Sequence, residues 1–270
     1  MTTPIRIGIA GALGRMGLAL TAFIDARSDM EVNALCHRPD SAGMPVARSN
    51  EPHRFLVTTT DALSRCDVML DFTTPAATVD LVRSAVASGG PALVIGTTGL
   101  SLAQQEAIAA AAKHLTIVQS GNFSLGINML LGLVEEAARK LAASDWDIEI
   151  LEAHHRRKVD APSGTALMLG EASARGRGVD LSVVAERGRD GITGLRREGG
   201  IGFAALRGGG IIGEHSVIFA ATDETLTLSH VAHDRTLFAR GVAAAALWAA
   251  RCAKPGLYSM QDVLGFARAD

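Results

Sequence analysis

Residues 152–166 read EAHHRRKVDAPSGTA: two adjacent histidines and three cations running into a Ser-Gly-Thr turn. Histidine titrates near neutral pH, so this stretch can move a proton. Successive side chains of a strand point to opposite faces, so His154 and His155 make a poor bidentate metal pair. No Cys or Glu completes a site at zinc-like spacing, and no metal is expected. A division of labour fits better, with one imidazole for proton transfer and the other for binding an anion. Ser163, Gly164 and Thr165 head a helix-like ALMLGEASA, with Asp160 and Pro162 leading into it. Amide groups and hydroxyls at a helix N-terminus bind carboxylate well. Lys158 and Arg156 add positive charge, whereas Arg157 reads as a solvated surface charge. The assembly suits a small anionic substrate with more than one carboxylate.

A second constellation opens the chain. Gly11, Ala12, Leu13, Gly14, Arg15, Met16 and Gly17 follow the apolar run IRIGIA and begin a helical pattern. This G-x-x-G-x-x-G spacing lets the backbone turn tightly and present a helix N-terminus to a dinucleotide pyrophosphate. Gly96, Thr97 and Thr98 end a fourth strand-like run, and Ser120, Gly121, Asn122 and Phe123 end a fifth. Ligands of open α/β sheets bind at the carboxyl ends of strands, so these residues could hold a nicotinamide amide and ribose. At the end of the second strand, an acid that would meet the ribose 2′-OH of NAD is missing. Cys36, His37 and Arg38 stand there, with no carboxylate until Asp40. A guanidinium suits a 2′-phosphate, so NADPH is expected in preference to NADH.

The elements that must carry these groups follow from periodicity. Strand-like runs at 5–11, 31–37, 67–72, 92–99 and 115–120 are separated by helical patterns at 14–26, 75–89 and 102–114. Such alternation predicts βαβ units and a parallel sheet with helices on both faces. After about residue 125 the pattern changes. A helix over 126–143 precedes a strand, DIEILEAHH, and a Gly- and Arg-rich loop over 176–200. Three closely spaced strands follow at 201–207, 215–221 and 224–232, which suggests antiparallel neighbours. The reading is therefore an α/β fold: a Rossmann-type dinucleotide-binding domain over 1–125, with 238–270 returning to it. An α+β substrate-binding and oligomerisation domain with a mixed sheet occupies 126–237.

Composition agrees. Of 270 residues, 48% are apolar but only 4% aromatic, which fits helices and buried parallel strands better than an aromatic-cored sandwich. A formal net charge of −2 gives no basic footprint, so nucleic acid is not an expected partner. The three cysteines form no CxxC pair, which points to a reducing compartment. The N-terminus has no signal-peptide pattern, and 241–250 is too short to span a bilayer. A cytoplasmic protein without a membrane partner is expected.

Taken together, GAxGRMG, DFT (71–73), GTTG, NFS (122–124), EAHHRxKVDAPSGTA and RGGGIIGEHSVIF resemble the 4-hydroxy-tetrahydrodipicolinate reductase (dihydrodipicolinate reductase) family over essentially the whole chain. The resemblance implies NAD(P)H-dependent reduction of a cyclic dicarboxylate in the diaminopimelate route to lysine. It implies that His154 donates and accepts the proton and that Lys158 is a proton donor, while His155, Gly164 and Thr165 bind substrate. Residues 11–16, 96–98 and 120–123 would line the cofactor, and a homotetramer built on the second domain's sheet is implied. Many members carry an acidic then a basic residue at the end of the second strand and use either cofactor. Here Cys36 and His37 stand at those positions, with Arg38 beside them.

Two other readings compete. A dehydrogenase of the aspartate-semialdehyde type needs a cysteine nucleophile, and Cys36, Cys66 and Cys252 are all poorly placed for one. A redox-sensing regulator that binds NADPH without turnover would not need His154 and Lys158 at an anion clamp.

Overall fold

The structure, a computed structural model, describes residues 3–46 and 55–266. In chain order the first elements are β1 (Ile5–Ala10), α1 (Arg15–Asp25), β2 (Met30–Cys36), α2 (Thr59–Arg65), β3 (Val68–Asp71), α3 (Pro75–Ser88), β4 (Ala92–Ile95), α4 (Leu102–Ala111) and β5 (Thr116–Gln119). Then come α5 (Leu125–Lys140), β6 (Asp147–His154), α6 (Gly164–Gly176), α7 (Leu181–Val184), β7 (Ala185–Glu186), β8 (Ile201–Arg207), β9 (Glu214–Ala220), β10 (Thr225–Val231), α8 (Thr236–Arg251), β11 (Gly256–Tyr258) and α9 (Met260–Leu264). The described residues fall into two compact units, one drawn from 1–125 and 236–270, the other from 126–235.

The first unit is a parallel sheet in the order β11-β5-β4-β3-β1-β2. Its strands read as unbroken apolar runs because both faces are covered. Val68 and Leu70 pack with α1 and α8 on one face, while Met69, Leu93 and Ile95 pack with α2, α3 and α4 on the other. The Rossmann-type expectation therefore holds. Register decides what this sheet can do: Ala10 lies beside Asp71, Asp71 beside Ile95, and Ile95 beside Gln119. The turns that follow these strands, at Gly11, Phe72, Gly96 and Ser120, consequently share one sheet edge.

In the first unit, α2, β11 and α9 were not anticipated. Helix α2 has only Ala62 and Leu63 as its buried face and is capped by Thr58, whose Oγ1 accepts from the Asp61 amide at 3.1 Å. Strand β11, three residues long, is an edge addition to β5, and α9 follows it.

The second unit is a mixed sheet in the order β10-β9-β6-β8-β7. Here the antiparallel expectation holds only in part. β9 runs antiparallel to β6 and to β10, but β8 lies parallel to β6, which separates it from β9. One face packs Ile148, Ile150, Phe203, Val217 and Phe219 against α5, α6 and α7. The opposite face carries Leu151, Ala204, Leu206, Ser216, Ile218, Ser229 and Val231, with Leu206 and Val231 about half exposed. The stretch read as a loop contains α7 and β7, and its arginines pin the rest. Arg196 reaches Asp147 at 2.7 Å and Glu149 at 2.9 Å, and Arg189 also pairs with Glu149.

Candidate active site

In the second unit the polar site grows out of strand alternation. Glu152 and His154 are two residues apart on β6, so both face the helices, and both are buried. His154 Nδ1 lies 2.6 Å from Glu152 Oε2. Parallel pairing sets Arg207 beside His154, and its guanidinium grips Glu152 through two bonds of 2.7 Å. The Ser163 amide donates to Glu152 Oε1 at 3.0 Å. Burial alone would raise the Glu152 carboxyl, but the Arg207, His154 and Ser163 donors hold it below the usual carboxylate range. Antiparallel pairing puts His215 beside Glu152. The His215 ring meets that of His154 edge-on at 5.1 Å, and its Nε2 lies 3.1 Å from Ser163 Oγ. Burial, and then the neighbouring His154, push His215 down to about 4, so it is neutral at physiological pH.

Ser163 is the N-cap of α6, its Oγ accepting from the Ala166 amide at 3.1 Å. Gly164 and Thr165 are therefore the first two helical residues, at the positive end of the helix dipole. A Cβ on Gly164 would meet nothing within 4 Å. Space thus lies open over the first turn of α6, where a carboxylate would sit. Lys158 lies in the connection between β6 and α6, its Nζ 3.0 Å from the Asp160 carboxylate. Lys158 in turn holds Asp160 below its ordinary range. His155 lies just past the strand, and its buried Nδ1 has no hydrogen-bond partner among the described residues.

In the first unit, Gly11 turns the chain with φ +76°, where a Cβ would come within 3.0 Å of the Phe72 carbonyl. The Ala12 amide donates to the Cys36 carbonyl at 3.1 Å, and Leu13 is exposed. Helix α1 opens at Gly14 with no side-chain cap, in contrast to α2, α3, α4 and α6. The amides of its first turn, at Arg15 and Met16, have no side-chain acceptor at the N-cap and suit a phosphate. His37 and Arg38 follow β2 directly. The Arg38 side chain is exposed and has no ion pair among the described residues.

The strand-end hydroxyls have partners within the protein. Thr97 is buried, and its Oγ1 accepts from the Thr73 amide at 3.1 Å and from Thr78 Oγ1 at 2.9 Å. Ser120 Oγ donates to the Asn122 carbonyl at 2.7 Å. Both hydroxyls shape loops within the protein, so a cofactor would meet the backbone of those loops and the exposed Thr98 and Gly121. Phe123 is buried, with its ring 5.7 Å from Phe72. The organiser of this edge is Asp71, fully buried and bonded by Thr73 Oγ1 at 2.6 Å and Thr78 Oγ1 at 2.5 Å. Burial pushes its carboxyl up, against the pull of those hydroxyls.

Sequence reasoning missed Glu152, Arg207, His215 and Asp71 as site residues. Glu152 had a usable signal in its two-residue spacing from His154. Arg207 and His215 arrive from other strands: both lie in the stretch RGGGIIGEHSVIF, but nothing in their spacing ties them to Glu152.

Two family models match the chain: dihydrodipicolinate reductase, N-terminus, over residues 5–123, and dihydrodipicolinate reductase, C-terminus, over 126–264. A 4-hydroxy-tetrahydrodipicolinate reductase of Caulobacter vibrioides is 57% identical over 268 residues, 99% of this chain and 100% of the relative. One of Rhizobium rhizogenes is 52% identical over 269 residues, 97% of each chain. Among solved structures, a dipicolinate-bound dihydrodipicolinate reductase of Paenisporosarcina sp. TG-14 shares the fold with a TM-score of 0.76. It is 24% identical, covering 96% of this chain and 98% of that one. Both halves are matched in order and half or more of the residues are shared with full-length relatives, so the chain belongs to the dihydrodipicolinate reductase family of oxidoreductases.

Proposed function

We propose that this enzyme reduces 4-hydroxy-tetrahydrodipicolinate to tetrahydrodipicolinate with NAD(P)H, in the diaminopimelate route to lysine. The observation that carries the reading is the buried Glu152–His154 pair, bound through Ser163 to the head of α6. That arrangement sets a proton-carrying imidazole beside a helix start that attracts carboxylate.

When bound, the reduced nicotinamide supplies a hydride from C4. The substrate's 4-hydroxyl leaves as water, and the conjugated ring takes up the hydride and one proton. His154 delivers that proton, with Lys158 in support. The first-turn amides of α6, with Gly164 and Thr165, hold a carboxylate, and His155 adds a further contact. Fixing the anion this way presents the reacting carbon and spares the entropy of orienting it.

The cofactor end fits a pyridine dinucleotide. The Gly11 turn and the side-chain-free N-cap of α1 accept the pyrophosphate, and the backbone of 96–98 and 120–123 borders the nicotinamide and ribose. Arg38 meets the 2′-phosphate, and NADPH is preferred. The open face of the second unit's sheet joins copies of the chain into a homotetramer, and the enzyme works in the cytoplasm, where reduced nicotinamide is supplied. Among the described residues no helix is long and apolar enough to cross a membrane.

The test follows NADPH and NADH oxidation by absorbance. Substrate is generated in situ from pyruvate and aspartate semialdehyde by the synthase that forms it. Wild type should turn over, and His154→Ala with Lys158→Ala should lose roughly 10²–10⁴ in kcat, the scale of a general acid. Arg38→Ala should raise KM for NADPH and leave that for NADH unchanged. A rise in substrate KM at constant kcat for His154→Ala would make that residue a binding group only. Tight NADPH binding without turnover would overturn the reductase reading.

A further inference from the structure

We infer that Glu152 is a positioning residue: it fixes the His154 imidazole with the proton on Nδ1, so that Nε2 is the atom that serves the substrate. The inference rests on the proposed role of His154 and extends it to a residue the sequence did not single out.

The tautomer follows from the donors around one carboxylate. Oε1 accepts from Arg207 Nη2 at 2.7 Å and the Ser163 amide at 3.0 Å. Oε2 accepts from Arg207 Nη1 at 2.7 Å and faces His154 Nδ1 at 2.6 Å. An ionised carboxylate only accepts, so the proton in the 2.6 Å contact belongs to Nδ1. Arg207 holds the carboxylate charged, and no reversal of roles is available. Nε2 is left as the outward nitrogen.

Glycine keeps that nitrogen accessible. A Cβ on Gly213 would come within 3.2 Å of His154 Nε2, and Gly213 is not in the left-handed region. The backbone conformation thus does not demand glycine there, and its missing Cβ leaves room in front of Nε2. Through the Ser163 amide, the same carboxylate ties His154 to the start of α6. Proton source and anion site therefore share one anchor.

Glu152→Gln tests this. The Ser163 amide cannot give up its proton, whereas imidazole can change tautomer. The glutamine oxygen should therefore keep the Oε1 position, where the Ser163 amide and Arg207 Nη2 both donate. Its NH₂ should take the Oε2 position, giving up the Arg207 Nη1 bond and facing Nδ1, which moves the His154 proton to Nε2. Nitrogen NMR of histidine-labelled protein reads that switch directly, and a merely structural role would not produce it. Turnover should fall toward the roughly 10²–10⁴-fold loss of His154→Ala without exceeding it, while substrate KM changes little. In a His154→Ala background, Glu152→Gln should cost nothing further, because two residues acting as a unit are not additive. Unchanged kcat in Glu152→Gln, with His154→Ala impaired, would overturn the inference alone. Unchanged kcat in His154→Ala would overturn the parent reading as well. If Glu152→Gln fails to fold, Glu152→Asp keeps the charge and withdraws it by one methylene. Reduced kcat with the wild-type tautomer would then support the inference, and wild-type kcat with an altered tautomer would refute it.

Discussion

His215 should make the second unit acid-labile in a defined window. The residue is 4% exposed, and burial and the neighbouring His154 push its imidazole from its ordinary 6.5 down to about 4. In the unfolded chain the same imidazole takes a proton near 6.5. Between these values the unfolded state binds more protons, so stability is lost as pH falls from about 6.5 to about 4 and levels off below. The drop from 6.5 to about 4 corresponds to on the order of 3 kcal/mol, since each tenfold change in proton affinity is about 1.4 kcal/mol. Protonation would also place a charge 5.1 Å from the His154 ring and disturb the contact with Ser163. The assay is urea unfolding from pH 8 to pH 4, comparing wild type with His215→Gln, which keeps a polar group near Ser163. Trp146 lies in the second unit and Trp248 in the first, so a Trp248→Phe background confines the fluorescence signal to the relevant unit. The stability difference between the two proteins should shift by roughly 3 kcal/mol in favour of His215→Gln between pH 7 and pH 4. Parallel stability curves across that range would refute the argument, because they would mean that His215 titrates alike in both states.

Gly164→Ala should leave thermal stability unchanged or raise it by about 0.4–1 kcal/mol, since an added methyl meets no atom and restricts the unfolded chain. Substrate KM should nevertheless rise, and unfolding scans run beside steady-state kinetics check both halves. Leu206→Asp, on the half-exposed sheet face, should shift the proposed tetramer to smaller species by light scattering, because a charge there opposes face-to-face burial.

Much of the first unit was legible because its strands are covered on both faces. Apolar runs such as VMLD and ALVI can hardly be anything but buried when helices of regular period follow each one. What escaped was short. Helix α2 has two buried residues, and β11 exists because β5 offers it an edge, so neither carries a periodicity of its own. In the second unit the three late strands looked like a meander because they are neighbours in sequence. Yet β6 slides between β8 and β9, a choice made by long-range pairing. Site legibility divides along the same line. His154, Lys158, Gly164 and Thr165 come from one continuous stretch and were found together. Arg207 and His215 reach that stretch only through register.

Polar residues at strand ends show why residue type alone misleads. Thr97 and Ser120 have the chemistry to hold a nucleotide, and their hydroxyls also bond Thr73, Thr78 and Asn122 within the protein. A hydroxyl satisfies whichever partner lies within reach, so its presence does not reveal its direction. Glycines are more informative once coordinates separate their reasons. Gly17 and Gly96 are glycine because a Cβ would lie 2.4 Å from the Gly11 carbonyl oxygen and 2.0 Å from the Phe72 ring, respectively. Gly11 is glycine because its φ demands it. Gly121, Gly164, Gly208 and Gly210 have neither excuse, since φ is not left-handed and a Cβ would meet nothing within 4 Å. Glycine costs roughly 0.5–1 kcal/mol in a helix or strand relative to alanine, so one retained at the head of α6 without a packing reason needs another cause. Room for a ligand's backbone contact is such a cause. Gly164 heads α6, where the substrate carboxylate is proposed to bind, Gly121 sits on the sheet edge proposed for the cofactor, and Gly208 and Gly210 flank the turn after Arg207. The glycines that the fold itself does not require therefore point to the two places at which the chain is proposed to bind its substrate and its cofactor.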